Sequence, residues 1–211
     1  NKNLLTNVLS LIVNVALGIF YIPYLIKNLG IAAYGIVPLA LIVNQYINVL
    51  TGALTGSLTR FYSIALQQEK NEEASKYLST AIATILALII LLLPFSFVII
   101  IYVDSIFNIP AVYVENAKLL FAFTLLSFLL SLISSLLNIT LYALNRLDLM
   151  NVIKMARILL KVILVVLFFE KFDKSIEYIG IANLIAELLV LSMSFYYFVV
   201  TVRNRISIKI S

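Results

Sequence analysis

The sequence predicts an all-helical, polytopic membrane protein. Of its 211 residues 63% are apolar and only 12% charged, and the apolar residues gather into six runs long enough, or nearly so, to cross a bilayer. Soluble domains average roughly 45–50% apolar and about 25% charged, so composition alone takes the chain out of that class. A hydrocarbon core of about 30 Å is spanned by about 20 helical residues. The runs predict helices over about 4–26, 34–66, 78–103, 117–144, 152–169 and 178–202, forming one transmembrane bundle over 1–211.

The first run is too long for a signal-peptide core and no small-residue cleavage site follows it, so it reads as a retained helix. Asn7, Ser10, Asn14, Gly18 and Tyr21 recur along it at spacings of three and four, a polar seam on one helical face. In the second, whose apolar run ends at 58, Asn44, Asn48, Thr51, Thr55, Thr59 and Tyr62 nearly repeat the pattern, while Gly52 and Gly56 have the spacing of a close-packing motif. The connection QQEKNEEASKY precedes the third helix; Glu72, Glu73 and Lys76 in it read as a solvated face with local ion pairs. Pro38 and Pro94 read as kinks or packing points. The fourth helix carries the longest seam, Thr124, Ser127, Ser131, Ser134, Asn138, Tyr142 and Asn145. Such a seam is useless against lipid, so it either glues helices together or lines a wet groove.

The fifth run, NVIKMARILLKVILVVLFF, places Lys154, Arg157 and Lys161 on one narrow stripe. Lys161 lies too deep to be an interfacial anchor, since beyond it only Val162 to Phe169 remain, about 12 Å of helix. The sixth run holds Asn183 and Glu187. Lys161 lies 12 residues before Asp173 in the connecting loop and Glu187 lies 14 after it, so the two share a depth on antiparallel neighbours. A charge at the bilayer centre costs about 2.5–3.5 kcal/mol on insertion scales, which points to pairing, to a hydrated cavity, or to both. A simple pair would use one cation and leave Lys154, Arg157 and Arg60 in excess, an arrangement suited to an anionic ligand. Near a helix end, Lys154 and Arg157 also fit plain snorkelling.

Lys and Arg set the orientation. Eleven of the fifteen, among them Lys2, Arg60, Arg146, Arg203, Arg205 and Lys209, fall on one side, against Lys27, Lys118, Lys171 and Lys174 on the other. Both termini are therefore expected in the cytoplasm. With no Trp, the interfacial belt falls to Tyr24, Tyr34, Tyr113 and Tyr178 outside and Tyr62, Tyr77 and Tyr142 inside. Without Cys or His, the chain lacks the residues of disulfides, zinc sites, Fe–S clusters and His-dependent nucleophiles. It has no phosphate-binding Gly loop, HExxH or GxSxG. No enzyme activity, metal or cofactor is expected. A pI near 9.3 reflects this loop asymmetry, and no nucleic-acid partner is expected. Asn1 is not an initiator Met, which suggests a piece of a longer protein.

The stretch YLIKNLGIAAYGIVPLALIVNQYINVLTGALTGSLTRFYS, 24–63, resembles the opening of a bacterial polysaccharide (O-antigen type) flippase. It has that family's L-G-x-x-x-Y-G turn in Leu29, Gly30, Tyr34 and Gly35, and its T-R-F-Y-like run at Thr59 to Tyr62. LYALNRLDLMNVIK, 141–154, is similar to the loop that leads into the family's fifth helix. The resemblance implies the N-terminal lobe of a protein of twelve or more helices, in the superfamily that also holds multidrug extruders. It implies alternating access in the inner membrane around a cationic cavity. The implied cargo is an undecaprenyl-pyrophosphate-linked oligosaccharide whose phosphates meet Arg60, Lys154, Arg157 and Lys161. Asn14, Asn44, Asn48, Ser127, Ser131, Ser134 and Asn138 would line the path, and Glu187 with Asn183 would bind a coupling ion or form a pair. Besides membrane lipid and the cargo, the partner would be a missing C-terminal lobe or a second copy. The alternatives are a cation-coupled multidrug extruder, which should have a more acidic cavity, and a non-transporting membrane scaffold in which every polar feature is packing.

Overall fold

The computed structural model describes residues 2–206 and, within them, every side chain except those at positions 2, 14, 50, 51, 53–55 and 201–206. Every regular element among them is helical. In chain order these are α1 (Lys2–Leu29), α2 (Ile31–Gln67), α3 (Asn71–Ile101), the short α4 (Val103–Phe107), a 3-10 turn (Ala111–Tyr113), α5 (Val114–Ala143), α6 (Leu147–Lys171) and α7 (Glu177–Ile206). Six are long. Five of those have stretches long and apolar enough to cross a membrane, not six as the apolar runs led one to expect. The exception is α6, where Lys154, Arg157 and Lys161 interrupt the apolar sequence and leave only Val162–Phe169 free of charge.

The ends of the helices follow local chemistry. A single residue, Gly30, separates α1 from α2; its φ of 80° is open to glycine and strained for any residue with a Cβ. The α2–α3 and α5–α6 turns share one design, a Schellman motif closed by a left-handed residue that is not glycine. In the first, Glu69 has φ 59° and the Lys70 N–H reaches the Ala65 carbonyl at 3.0 Å; in the second, Asn145 has φ 56° and the Arg146 N–H reaches Leu141 at 2.9 Å. α3 begins at Asn71, seven residues before its apolar run at 78, because Glu72 and Glu73 suit the positive end of a helix. The α3–α5 connection, read from sequence as a plain loop, is partly helical, and Pro110 sets up its 3-10 turn.

Packing makes α5 the centre. It lies against α2, α3 and α7 and touches α6, while α6 is held between α7 and α1. α5 and α7 approach closely at Gly180, where a Cβ would stand 3.1 Å from the Leu120 carbonyl oxygen and 3.1 Å from the Phe123 Cβ. At the end where α1 meets α2, one continuous core joins Leu25, Ala33, Val103, Phe121, Val165 and Phe169. Tyr24 stacks on Phe169 there, and Tyr178 packs on Phe168 and Phe172. At the opposite end the core divides. Tyr62, Ala65, Ala74 and Ile139 knit α2, α3 and α5; Leu141, Ile153 and Val190 knit α5, α6 and α7. The space between the two clusters is the site.

Candidate functional site

A cavity of about 970 Å³ opens between the two clusters, walled by α2, α5, α6 and α7. From α2 come Asn48, Gly52, Gly56, Thr59, Arg60, Ser63 and Gln67; from α5, Ser131, Ser134, Ser135, Asn138 and Tyr142; from α6, Met150, Ile153, Lys154 and Arg157; from α7, Glu187 and Val190. A second cavity of about 450 Å³ continues deeper into the bundle. Ser10, Asn44, Gln45, Lys161 and Asn183 line it, and it shares Asn48, Ser131, Lys154 and Arg157 with the first. The cation stripe of α6 thus runs along one wall of both, from Lys154 through Arg157 to Lys161, as its spacing of three and four requires.

Glu187 is buried, 1% exposed, on the wall made by α7. Its Oε1 accepts a hydrogen bond from the Ser134 hydroxyl at 3.0 Å, and its Oε2 lies 3.2 Å from Nη2 of Arg157. That second contact is an ion pair without hydrogen-bond geometry, so Oε2 has a counter-charge but no donor aimed at it. One buried carboxylate thereby ties α5, α6 and α7. Lys161, matched to Glu187 in depth, does not pair with it. Arg157 lies 16 residues before Asp173 and Lys161 12, so both are two residues from the level of Glu187 and depth cannot choose. The rotation of α6 about its axis and the longer reach of Arg decide. Arg60, Lys154 and Lys161 have no carboxylate partner among the described residues.

Several expected lining residues are placed differently. Ser127 is fully buried and donates to the Phe123 carbonyl at 2.6 Å; it packs α5 rather than lining either cavity, although Ser131, one turn on, lines both. Asn44 lines the deeper cavity while its Nδ2 donates to the Thr124 carbonyl at 3.2 Å, so this seam residue is glue and lining at once. Asn7 faces outward, whereas Ser10 of the same seam is buried against the deeper cavity. The side chains of Asn14, Thr51, Thr55, Lys2, Arg203 and Arg205, and all of Lys209, lie outside the described residues. Gly52 and Gly56 make no close packing contact among the described residues: none lies within 4 Å of where their Cβ atoms would be, and both glycines line the cavity. Gln45, Ser63 and Ser135 were missed, yet each sits within a turn of a seam residue that was identified; Gln67, also missed, lies beyond the last of them, Tyr62.

At the mouth, α6 has no side-chain cap of its own. Asn3 of α1 supplies one: its Oδ1 accepts from the Asp148 N–H at 3.0 Å while its Nδ2 donates to the Asn145 carbonyl at 3.2 Å. Asn151 adds a bond to Thr6 at 3.3 Å. The neighbouring Arg146 guanidinium, 3.1 Å from Asp148, holds that carboxyl below its usual range.

No family model matches the chain, and no solved structure does. It is 28% identical over 197 residues to a protein of Bacillus subtilis (strain 168) described as the uncharacterized membrane protein EpsK, a match that covers 93% of this chain. The chain spans 39% of that relative's length. Helices, composition and relative agree on the class: this is a multi-pass membrane protein related to a bacterial membrane protein of more than twice its length.

Proposed function

We propose that the chain is one lobe of a flippase that carries a lipid-linked oligosaccharide across the bacterial inner membrane by alternating access. The observation that supports this best is the charge of the cavity: four cations, Arg60, Lys154, Arg157 and Lys161, face space walled by apolar helices, against the single carboxylate of Glu187. Charges are kept at membrane depth where they meet water, a partner or a cargo, and a surplus of cations suits an anionic one. A diphosphate linked to a polyprenol has that chemistry, and Arg offers it paired N–H donors. The hydroxyl and amide groups of Asn48, Ser131, Ser135 and Asn138 suit sugars.

With both termini in the cytoplasm, the cavity opens toward the side on which such a cargo would be loaded, and the continuous core closes the other. A second lobe, or a second copy, would complete the path. An extruder of organic cations is poorly served by one carboxylate that already has a counter-charge. The test is replacement of Arg157 and Lys161, singly, by Gln in a strain that depends on this protein for its surface polysaccharide. Loss of the polysaccharide at unchanged protein level is expected for both; a full coat in both variants would sink the proposal.

A further inference from the structure

The ion pair at the cavity wall is lopsided. Glu187 is trapped, with 1% of its side chain exposed, whereas Arg157 keeps 38% and lines both cavities. Oε2 of Glu187 is approached by Arg157 at 3.2 Å without a directed hydrogen bond, so the contact is easily exchanged for a better one. A phosphate oxygen offers that, because a guanidinium donates to it through two parallel N–H groups.

The groups that face Glu187 are few. From α5 there are Ser134, which does not titrate in this range, and Tyr142 on the same cavity wall; from α6, Arg157, with Lys154 and Lys161 before and after it on the stripe; from α2, Arg60; from α7, none. No second carboxylate lines either cavity, and among the described residues only Arg157 comes within ion-pair distance of Glu187. If Arg157 turns away, Glu187 becomes a buried carboxylate with one hydroxyl donor and no counter-charge. That state is costly, and a proton removes the cost.

We propose that Arg157 is shared between two anions: it holds Glu187 while the cavity is free of anion, turns to a diphosphate that enters, and leaves Glu187 to take a proton. The proton comes from hydronium in the cavity water, which becomes water as the carboxylate becomes a carboxylic acid. Ser134 can then accept from the new O–H instead of donating. Loading of the anion and uptake of a proton become one event, and Glu187 is a positioning residue that gates Arg157. The idea rests on the reading of the cavity as a diphosphate site.

The experiment uses the whole chain in lipid nanodiscs with inorganic pyrophosphate as probe. Binding is followed by calorimetry, proton uptake by a pH dye in weak buffer, and carboxyl protonation by infrared difference spectroscopy. The wild type is expected to take up about one proton more per bound pyrophosphate than E187Q, and to gain a protonated-carboxyl band that E187Q lacks. Its affinity should rise as pH falls, by up to about tenfold per unit beyond the probe's own titration. Binding with equal proton uptake in both proteins and no band would overturn the exchange while leaving the cavity reading intact. No pyrophosphate binding at all would overturn both. Should E187Q fail to fold, the wild-type infrared band alone decides: its growth on addition of pyrophosphate supports the exchange, and its absence overturns it.

Discussion

At the end where α1 meets α2, Leu25, Phe121, Val165 and Phe169 belong to one uninterrupted core, whereas at the other end the core splits, with Tyr62 and Ile139 on one side and Leu141 and Val190 on the other. The same helices build both ends, so the difference lies in what their facing turns carry. Inside a bilayer, apolar side chains gain little by leaving lipid for protein, and helices associate through close packing and polar contacts. Phe and Val fill the closed end. Toward the open end the facing turns of α2, α5 and α6 carry Asn, Ser, Thr, Arg and Lys, which line the cavity. A solid end and a split end would suit the rocking lobe proposed above.

Thiol accessibility should show the largest contrast, and the Cys-free chain makes it clean. K154C is expected to react with a membrane-impermeant reagent in sealed vesicles of known orientation, from the cytoplasmic face only. V165C should react about a hundredfold more slowly, as an opening free energy of about 3 kcal/mol would give. Equal rates would erase the distinction between the ends.

Stability should be lost by different mechanisms at the two ends. R157L strands a buried carboxylate and is expected to cost about 3 kcal/mol, at the low end for breaking a buried pair because Arg157 is itself part-exposed. F121A at the closed end leaves a void and should cost about 2 kcal/mol, the cavity share alone, since lipid rather than water is the reference for that ring. Thermal unfolding in one detergent would rank them, and the reverse order would put the main energetic anchor in the closed core.

The glycines sharpen the comparison further. G180V pushes a branched side chain at the Leu120 carbonyl and the Phe123 Cβ, both 3.1 Å from the new Cβ, and should destabilise by about 1–3 kcal/mol. G56A meets nothing within 4 Å and should stabilise by about 0.5–1 kcal/mol through helix propensity. A melting temperature that falls in both would mean that the cavity at Gly56 is packed shut.

The smallest effect concerns the mouth. N3A removes the cap that α1 lends to α6 and should cost about 1 kcal/mol, with N3D retaining most of it. Arg146 lowers the carboxyl pKa of Asp148, so its contribution is present at neutral pH and fades as pH drops below about 3.9 and through the lowered folded value. Amide exchange in the first turn of α6 would report both, and no change in either condition would show that the α1 contact is dispensable.

Much of the bundle could be read in advance because a bilayer imposes its demands on composition: a span must be apolar for about 20 residues, whatever its neighbours. The cation stripe was legible for a similar reason, since the helical period sets which residues share a face. The site was less so. Ser127 and Ser131 are one turn apart in a single seam, yet one is sealed against packing and the other lines both cavities. The Gly52 and Gly56 spacing suggested a close contact that Gly180, without any such motif, makes instead. Arg157 and Lys161 were equally plausible partners for Glu187 by depth.

By itself, then, the sequence determined that the chain lives in a membrane as long helices, and which residues must lie together along each of them, because those properties are local to a helix and its solvent. Only the tertiary structure decided that Arg157 meets Glu187, that the core splits at one end, and that the space between is lined with surplus positive charge. Those outcomes depend on how each helix is rotated and tilted, which packing against its neighbours sets and no single helix encodes.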